Sequence, residues 1–195
     1  LGDVYKRQAL SRGVTPADQP AQFGFLFFLG YLAVVTYAGL RHGMQVLERK
    51  KDLESLNTPL NRGAAWLAVL SSVALIGYAI FYKPSNMIVL LALSPVGFGT
   101  GFGILKAIKG RLPEKKAWFY EHMGAMIGTG IAFHTAFAVF GSTRMFDLGF
   151  EGFIAIIPWI TPALIGIPGN IIWTNHYKKK FGDMPSKDTA AENAA

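Results

Sequence analysis

Five stretches of this chain are apolar, nearly as long as a bilayer is thick, and free of charged residues: Ala21–Leu40, Gly63–Tyr82, Met87–Leu105, Met123–Gly141 and Gly152–Tyr177. A helix rises about 1.5 Å per residue, so about 20 apolar residues cross a hydrocarbon core about 30 Å thick. Lipid offers no partner to a bare N–H or C=O, so such a stretch must close its hydrogen bonds within itself, as a helix. Five of them in 195 residues predict an all-α fold, a polytopic transmembrane helix bundle. Composition agrees where it bears on this. Only 16% of residues are charged, against about 25% in soluble domains. The 51% hydrophobic content excludes a disordered chain. The absence of cysteine excludes disulfide scaffolds and thiolate metal sites. The second half of Met87–Leu105 is rich in glycine, which leaves a re-entrant segment as the alternative for that stretch.

The net charge of +7 would raise nucleic acid as a partner if the basic residues formed one patch. They do not. Arg41, Arg49, Lys50, Lys51 and Arg62 follow the first stretch, Lys106, Lys109, Arg111, Lys115 and Lys116 the third, and Lys178, Lys179, Lys180 and Lys187 the fifth. The alternate segments hold only Arg12, Lys83 and Arg144. Lys and Arg near span ends stay on the cytoplasmic side. The tail is therefore expected inside, the N-terminal stub outside, and the protein in the inner (plasma) membrane. Trp66, Trp118 and Trp173 fall near the same inner interface, as an aromatic belt would. The basic clusters then serve as orientation signals and as attraction to anionic headgroups, not as a nucleic-acid surface.

Both ends invite separate treatment. Leu1–Gln8 (LGDVYKRQ) resembles an in-frame translation of a sequencing adapter. Setting it aside removes Lys6, Arg7 and Asp3 and lowers the net charge by one. It also leads to the expectation that the gene is truncated upstream and that further spans are missing. Thr15–Gln22 is expected as an external loop, and Gly182–Ala195, polar and Ala-rich, as a disordered cytoplasmic tail.

Small residues predict where helices meet, because lipid supplies no hydrophobic drive between them. Gly124, Gly128, Ala132 and Ala136 form a ladder on the fourth stretch, and Gly97/Gly101 and Gly99/Gly103 pair on the third. The expectation is that the third and fourth stretches lie against each other through these residues. The run GFGTGFG does not match a phosphate-binding glycine loop in spacing, and no Lys-Ser/Thr follows it. The fifth stretch carries Pro158, Pro162 and Pro168, with Gly166 and Gly169 nearby. Interior prolines free carbonyls that neighbours or cavity water must satisfy, and broken helices mark transport sites or simple kinks. Thr161 and Asn170 are the polar groups that would cap such carbonyls or meet a ligand.

No Asp, Glu, Lys or Arg lies inside any stretch. That weakens an ion-coupled carrier and removes paired carboxylates for acid–base chemistry. No Ser/His/Asp pattern, HExxH, P-loop or EF-hand is present. Histidine remains. His42, His122 and His176 all fall at inner span ends, where two imidazoles on neighbouring helices would hold haem, or would simply sit at the interface, pairing with Glu121 or headgroups. Met126, one turn after His122, is a candidate axial ligand or a packing residue. His134 lies about 18 Å along the helix axis from His122 and about 120° around it, so the two cannot share a metal. His134 is a candidate cavity residue with Thr135, Pro158, Pro162 and Asn170, or a cross-helix hydrogen-bonding group with Thr129, Thr135 or Tyr78 as its partner.

Trp118–Phe137 (WFYEHMGAMIGTGIAFHTAF) and Pro158–Trp173 (PWITPALIGIPGNIIW) together resemble a family of uncharacterised bacterial multi-pass membrane proteins. The shared pattern is an aromatic, His-x-x-x-Met, Thr-Ala-Phe, Trp-x-x-Pro and Gly-x-Pro. Here it is carried by His122, Met126, Thr135–Phe137, Trp159, Pro162 and Gly166–Pro168, over roughly residues 60–180. The resemblance implies further upstream spans with a His-Arg motif, which this chain lacks, and it implies no activity and no catalytic residue. His134 lies outside the pattern. Three functions follow as expectations: a non-enzymatic membrane protein, either permease-like or an assembly component, possible as a homo- or hetero-oligomer; a haem-binding redox protein using His122 with His42 or His176; and a membrane enzyme with its catalytic groups upstream.

Overall fold

The computed structural model describes residues 15–109, 115–141, 145 and 157–183. Every regular element among them is helical, so the fold is all-α. Arg12, Arg111, Arg144, Lys187, the adapter-like residues, residues 152–156 and the tail beyond Asp183 lie outside the described residues.

The expected external loop at 15–22 is short, because Pro20 already opens helix α1 (Pro20–Glu48). Proline suits that place, where a first-turn N–H has no intrahelical acceptor. Before it, the Thr15 amide and hydroxyl both donate to Asp18 Oδ2, at 2.8 and 2.6 Å. Beyond α1, Arg49 Nη1 donates to Ser55 O at 2.7 Å across a short 3-10 turn, Glu54–Leu56. Helix α2 (Pro59–Tyr82) starts with Thr58 as its cap, whose Oγ1 accepts the Asn61 amide at 3.2 Å, and proline follows in first position. It stops at Lys83, which takes a left-handed conformation (φ 44°) ahead of Pro84.

The third apolar stretch is two helices, α3 (Met87–Leu93) and α4 (Pro95–Ala107). Pro95 has no N–H to give Leu91 O, and the Ser94 hydroxyl donates to that carbonyl instead, at 2.9 Å. Helix α5 (Ala117–Ala136) runs into a π-helical turn, Phe137–Gly141. Helix α6 (Ile157–Phe181) is continuous although Pro162 and Pro168 lie inside it. Pro158, also expected to interrupt this helix, is the second described residue of it and is buried. At the other end Gly182 (φ 67°) donates to Lys179 O and Asp183 to Lys178 O, closing the helix in a Schellman motif.

Among the described residues four helical spans are long and apolar enough to cross a membrane: Pro20–Glu48, Pro59–Tyr82, Met87–Ala107 and Ala117–Gly141. They mark a multi-pass membrane protein. The fifth stretch is helical over its described part but is not among the four. Its last turn carries Lys178, Lys179 and Lys180. Bulky apolar residues such as Phe81, Ile88, Leu164 and Ile165 are widely exposed, a surface compatible with lipid rather than water.

Contacts divide the chain into two units. The first holds α1 as far as Ala38, α2, α3 and α4 as far as Leu105. Its centre is Tyr31, whose hydroxyl accepts the Gly97 amide at 2.8 Å and shares its own proton between Leu93 O (2.8 Å) and Ser94 O (3.1 Å). A side chain of α1 thus stands in the Gly97-to-Leu93 rung of the next helix, beside the Ser94–Pro95 break. Gly97 and Gly101 permit the close approach. A Cβ on Gly97 would lie 2.2 Å from Ser72 Oγ and 2.9 Å from Ala68 O, and one on Gly101 2.6 Å from Ala65 O. These glycines therefore serve contacts with α2, where the sequence had suggested the fourth stretch. The choice follows from buried Ser72, Ala65 and Ala68, which give α2 a groove shallow enough to admit a backbone.

The second unit holds the end of α1 from Gly39, the loop to Asn57, and the described residues from Lys106 onward. It contains every histidine of the chain.

Candidate functional site

Two consecutive residues of α1, His42 and Gly43, meet two consecutive residues of α5, Glu121 and His122. His42 Nε2 lies 3.4 Å from Glu121 Oε2, and His122 Nδ1 lies 2.8 Å from Gly43 O. A carboxylate and a carbonyl only accept, so those two ring nitrogens carry the protons. In the neutral rings this leaves His42 Nδ1 and His122 Nε2 as acceptors. His42 is buried, at 6% exposure, and its Nδ1 has no partner. Gly43 lies against α5: a Cβ there would meet Met126 Cε and lie 3.1 Å from Ala125 Cβ, so the methionine end would have to shift. Met126 therefore packs over the Gly43 backbone. Of the three expected histidines, the structure brings His42 and His122 to one place. His176 is exposed and sets its ring edge-on to Tyr177 at 5.3 Å. Among the described residues no group of three or more His, Asp and Glu is arranged to hold a metal ion.

The second feature is an open groove of about 490 Å³ between α5, its π-helical turn and α6. Ile127, Ile131, Phe137 and Ala138 line one side, and Pro162, Ile165 and Gly166 the other. Close contact of α5 with α6 forms its floor: a Cβ on Gly166 would lie 2.4 Å from Ile131 Cγ1. Two polar side chains reach it, His134 and Thr161. His134 Nδ1 donates to Gly130 O, one turn back, at 2.8 Å. The Thr161 hydroxyl donates to Ile157 O at 2.8 Å.

The other expected cavity residues do not line this groove. Thr135 donates to Ile131 O at 2.9 Å on its own helix. Pro158 is buried. Asn170 accepts from the Thr174 hydroxyl at 3.5 Å and has its amide nitrogen near Gly124. Of the partners expected for His134, Tyr78 is engaged elsewhere, donating to Pro20 O at 2.8 Å.

A third cluster gathers three span ends. Asp183 accepts the Lys115 and Lys116 amides, both at 3.2 Å, and the Tyr120 hydroxyl at 3.0 Å. A carboxylate suits that place, at the positive end of α5. Lys50 stands 5.5 Å over Trp118, Lys116 5.7 Å over Phe181, and Lys178 5.3 Å over Tyr120. Sequence reading identified these lysines as topology signals and missed Asp183, placed by its order in the chain in a disordered tail. The signal was there in the sequence: Gly182 immediately after a basic last turn marks a helix end and a defined next residue.

No family model, no curated protein and no solved structure matches this chain.

Proposed function

We propose that this chain is a non-enzymatic component of a helical assembly in the inner (plasma) membrane, with its tail on the cytoplasmic side. One observation carries the reading. Only 6% of the apolar window of the span Ala117–Gly141 is buried, against 28 to 33% in the other three. On that span Gly128 has open space where a Cβ would be. Small residues on an uncovered span leave room for another helix to approach its backbone. The absence of Asp, Glu, Lys and Arg from the five apolar stretches and the apolar lining of the groove favour an assembly role over a permease, whose path needs polar groups. The lysine–aromatic cluster, which joins the ends of α1 and α6 to the start of α5, supports a single basic face set against anionic headgroups. The pattern carried by His122, Met126, Trp159 and Pro162 supports kinship with the bacterial multi-pass family.

The chain has no cysteine, so Gly128→Cys gives one thiol without background. The full chain, reconstituted in nanodiscs, is expected to be larger than a monomer, and the thiol to cross-link within the membrane. A monomer in both detergent and nanodiscs, extracted without a stoichiometric partner, sinks the reading.

A haem-binding role is the second reading, favoured by one observation. His42 and His122 each have one N–H held by a protein acceptor and one ring nitrogen left over, the state in which imidazole ligates a metal. Protein expressed with haem supplied would then show a Soret band that His122→Phe removes; a flat spectrum ends this reading.

A further inference from the structure

We infer that the groove between α5 and α6 is a binding site for an uncharged, membrane-borne lipophile that carries a hydroxyl group. The walls are apolar, so the body of the ligand is hydrocarbon. The polar groups specify its head. With Nδ1 donating to Gly130 O, the neutral His134 ring offers Nε2 as an acceptor only. Thr161 spends its proton on Ile157 O and likewise offers lone pairs. The two polar side chains of the lining thus present acceptors and no free donor. A hydroxyl head satisfies them. Among the described residues a carboxylate or phosphate meets no cation and no donor there, and a ketone or ether meets two acceptors with a third.

Two further features point to the same place. The helix changes to a π-helical turn where the groove begins, at Phe137–Gly141, so that Phe137 and Ala138 both line it. Such turns are rare and often stand at functional sites. Access is lateral, because Phe137 and Ile165 are exposed on the apolar outer surface at the rim. The site uses a different face of α5 from the small-residue ladder, about 120° away around the axis. It therefore stands or falls separately from the assembly reading.

The test uses the full chain in nanodiscs and quenching of its tryptophan fluorescence. Trp159 lies beside the groove, edge-on to Phe140 at 5.8 Å. The probe is a dibrominated long-chain alcohol, compared with its methyl ether and with the corresponding dibrominated fatty acid. The alcohol is expected to quench saturably, with half-saturation about tenfold below that of the ether, as for one hydrogen bond in an apolar setting. His134→Phe should weaken the alcohol about tenfold and leave the ether unchanged. His134→Gln, which returns a carbonyl acceptor, should recover most of the loss. Ala138→Leu, which fills the groove without adding a fluorophore, should abolish saturable quenching by both. Competition by a diacylglycerol or by a prenylated hydroxybenzene tells whether the hydroxyl comes from a lipid backbone or a phenolic head. Equal binding of alcohol and ether overturns the inference and leaves a groove for acyl chains only. So does a fatty acid that binds tighter than the alcohol. The alcohol–ether comparison on the unaltered chain needs no variant, so a poorly folded His134→Phe does not blunt it.

Discussion

The Tyr31 contact in the first unit and the α5–α6 pair in the second use hydroxyls in opposite ways. In the first, Gly97, Gly101, Ser72 and Tyr31 are drawn into one contact in which a hydroxyl completes a neighbouring helix's hydrogen-bond ladder. In α5 and α6, Thr135 and Thr161 bond to their own helix one turn back, and Gly128 and Gly130 meet nothing. What differs is whether a polar group is spent across helices or within one. A hydroxyl spent across helices fixes a helix pair; one spent at home leaves a face available to something else.

The largest expected effect tests this directly. Gly97→Ala should destabilise the fold by about 2–4 kcal/mol, because its Cβ would strike both Ser72 Oγ and the rigid Ala68 carbonyl. Gly128→Ala should change stability by less than about 1 kcal/mol, toward greater stability, since alanine is the better helix former and the space is open. Unfolding in mixed micelles of increasing SDS content, followed by helical circular dichroism, measures both. Equal losses would remove the distinction between the units.

The spans and the class of fold were legible in the sequence because hydrocarbon enforces them: uncharged stretches such as Gly63–Tyr82 have no other stable form. Helix partners were not legible. Gly97 and Gly101 announce a close contact, but the answering surface is set by Ser72 and Ala68, residues with no pattern of their own. The His42–Glu121 and Gly43–His122 pairs join positions 79 residues apart, and the end-of-span placement of each histidine was all that the sequence could supply.

A smaller effect sharpens the contrast between shared and local hydroxyls. Tyr31→Phe leaves the Gly97 amide and the Leu93 carbonyl without their bridging group, in a buried place, and should lose about 1–3 kcal/mol. Thr135→Val, which removes a bond to its own helix, should shift stability by no more than about 0.5 kcal/mol. The same SDS titration applies. Comparable losses would show that bonds within a helix contribute as much as bonds between helices.

The smallest effect lies near the two ends of the described chain, where an aspartate does each kind of work. Asp183 reaches residues 63 to 68 positions away. Asp18 serves only its own turn, and the hydroxyl and amide of Thr15 hold its carboxyl below the ordinary carboxylate range. A group whose value is lowered on folding contributes its stabilisation in full above the unfolded value, near 3.9, and loses it as pH falls through the folded one. The Thr15–Asp18 turn should therefore stay closed through mild acid and open only below the range in which a free aspartate titrates. The Thr15 amide proton, followed by NMR from neutral pH downward, should shift with a midpoint below that of the same residues in a free peptide, and Asp18→Asn should abolish the transition. Neither result should alter the SDS unfolding midpoint, because Asp18 is fully exposed and its bonds end within three residues. A midpoint at or above the free-peptide value would mean that the turn is not held by its carboxylate, and that the local, self-contained bond is no feature of this end of the chain.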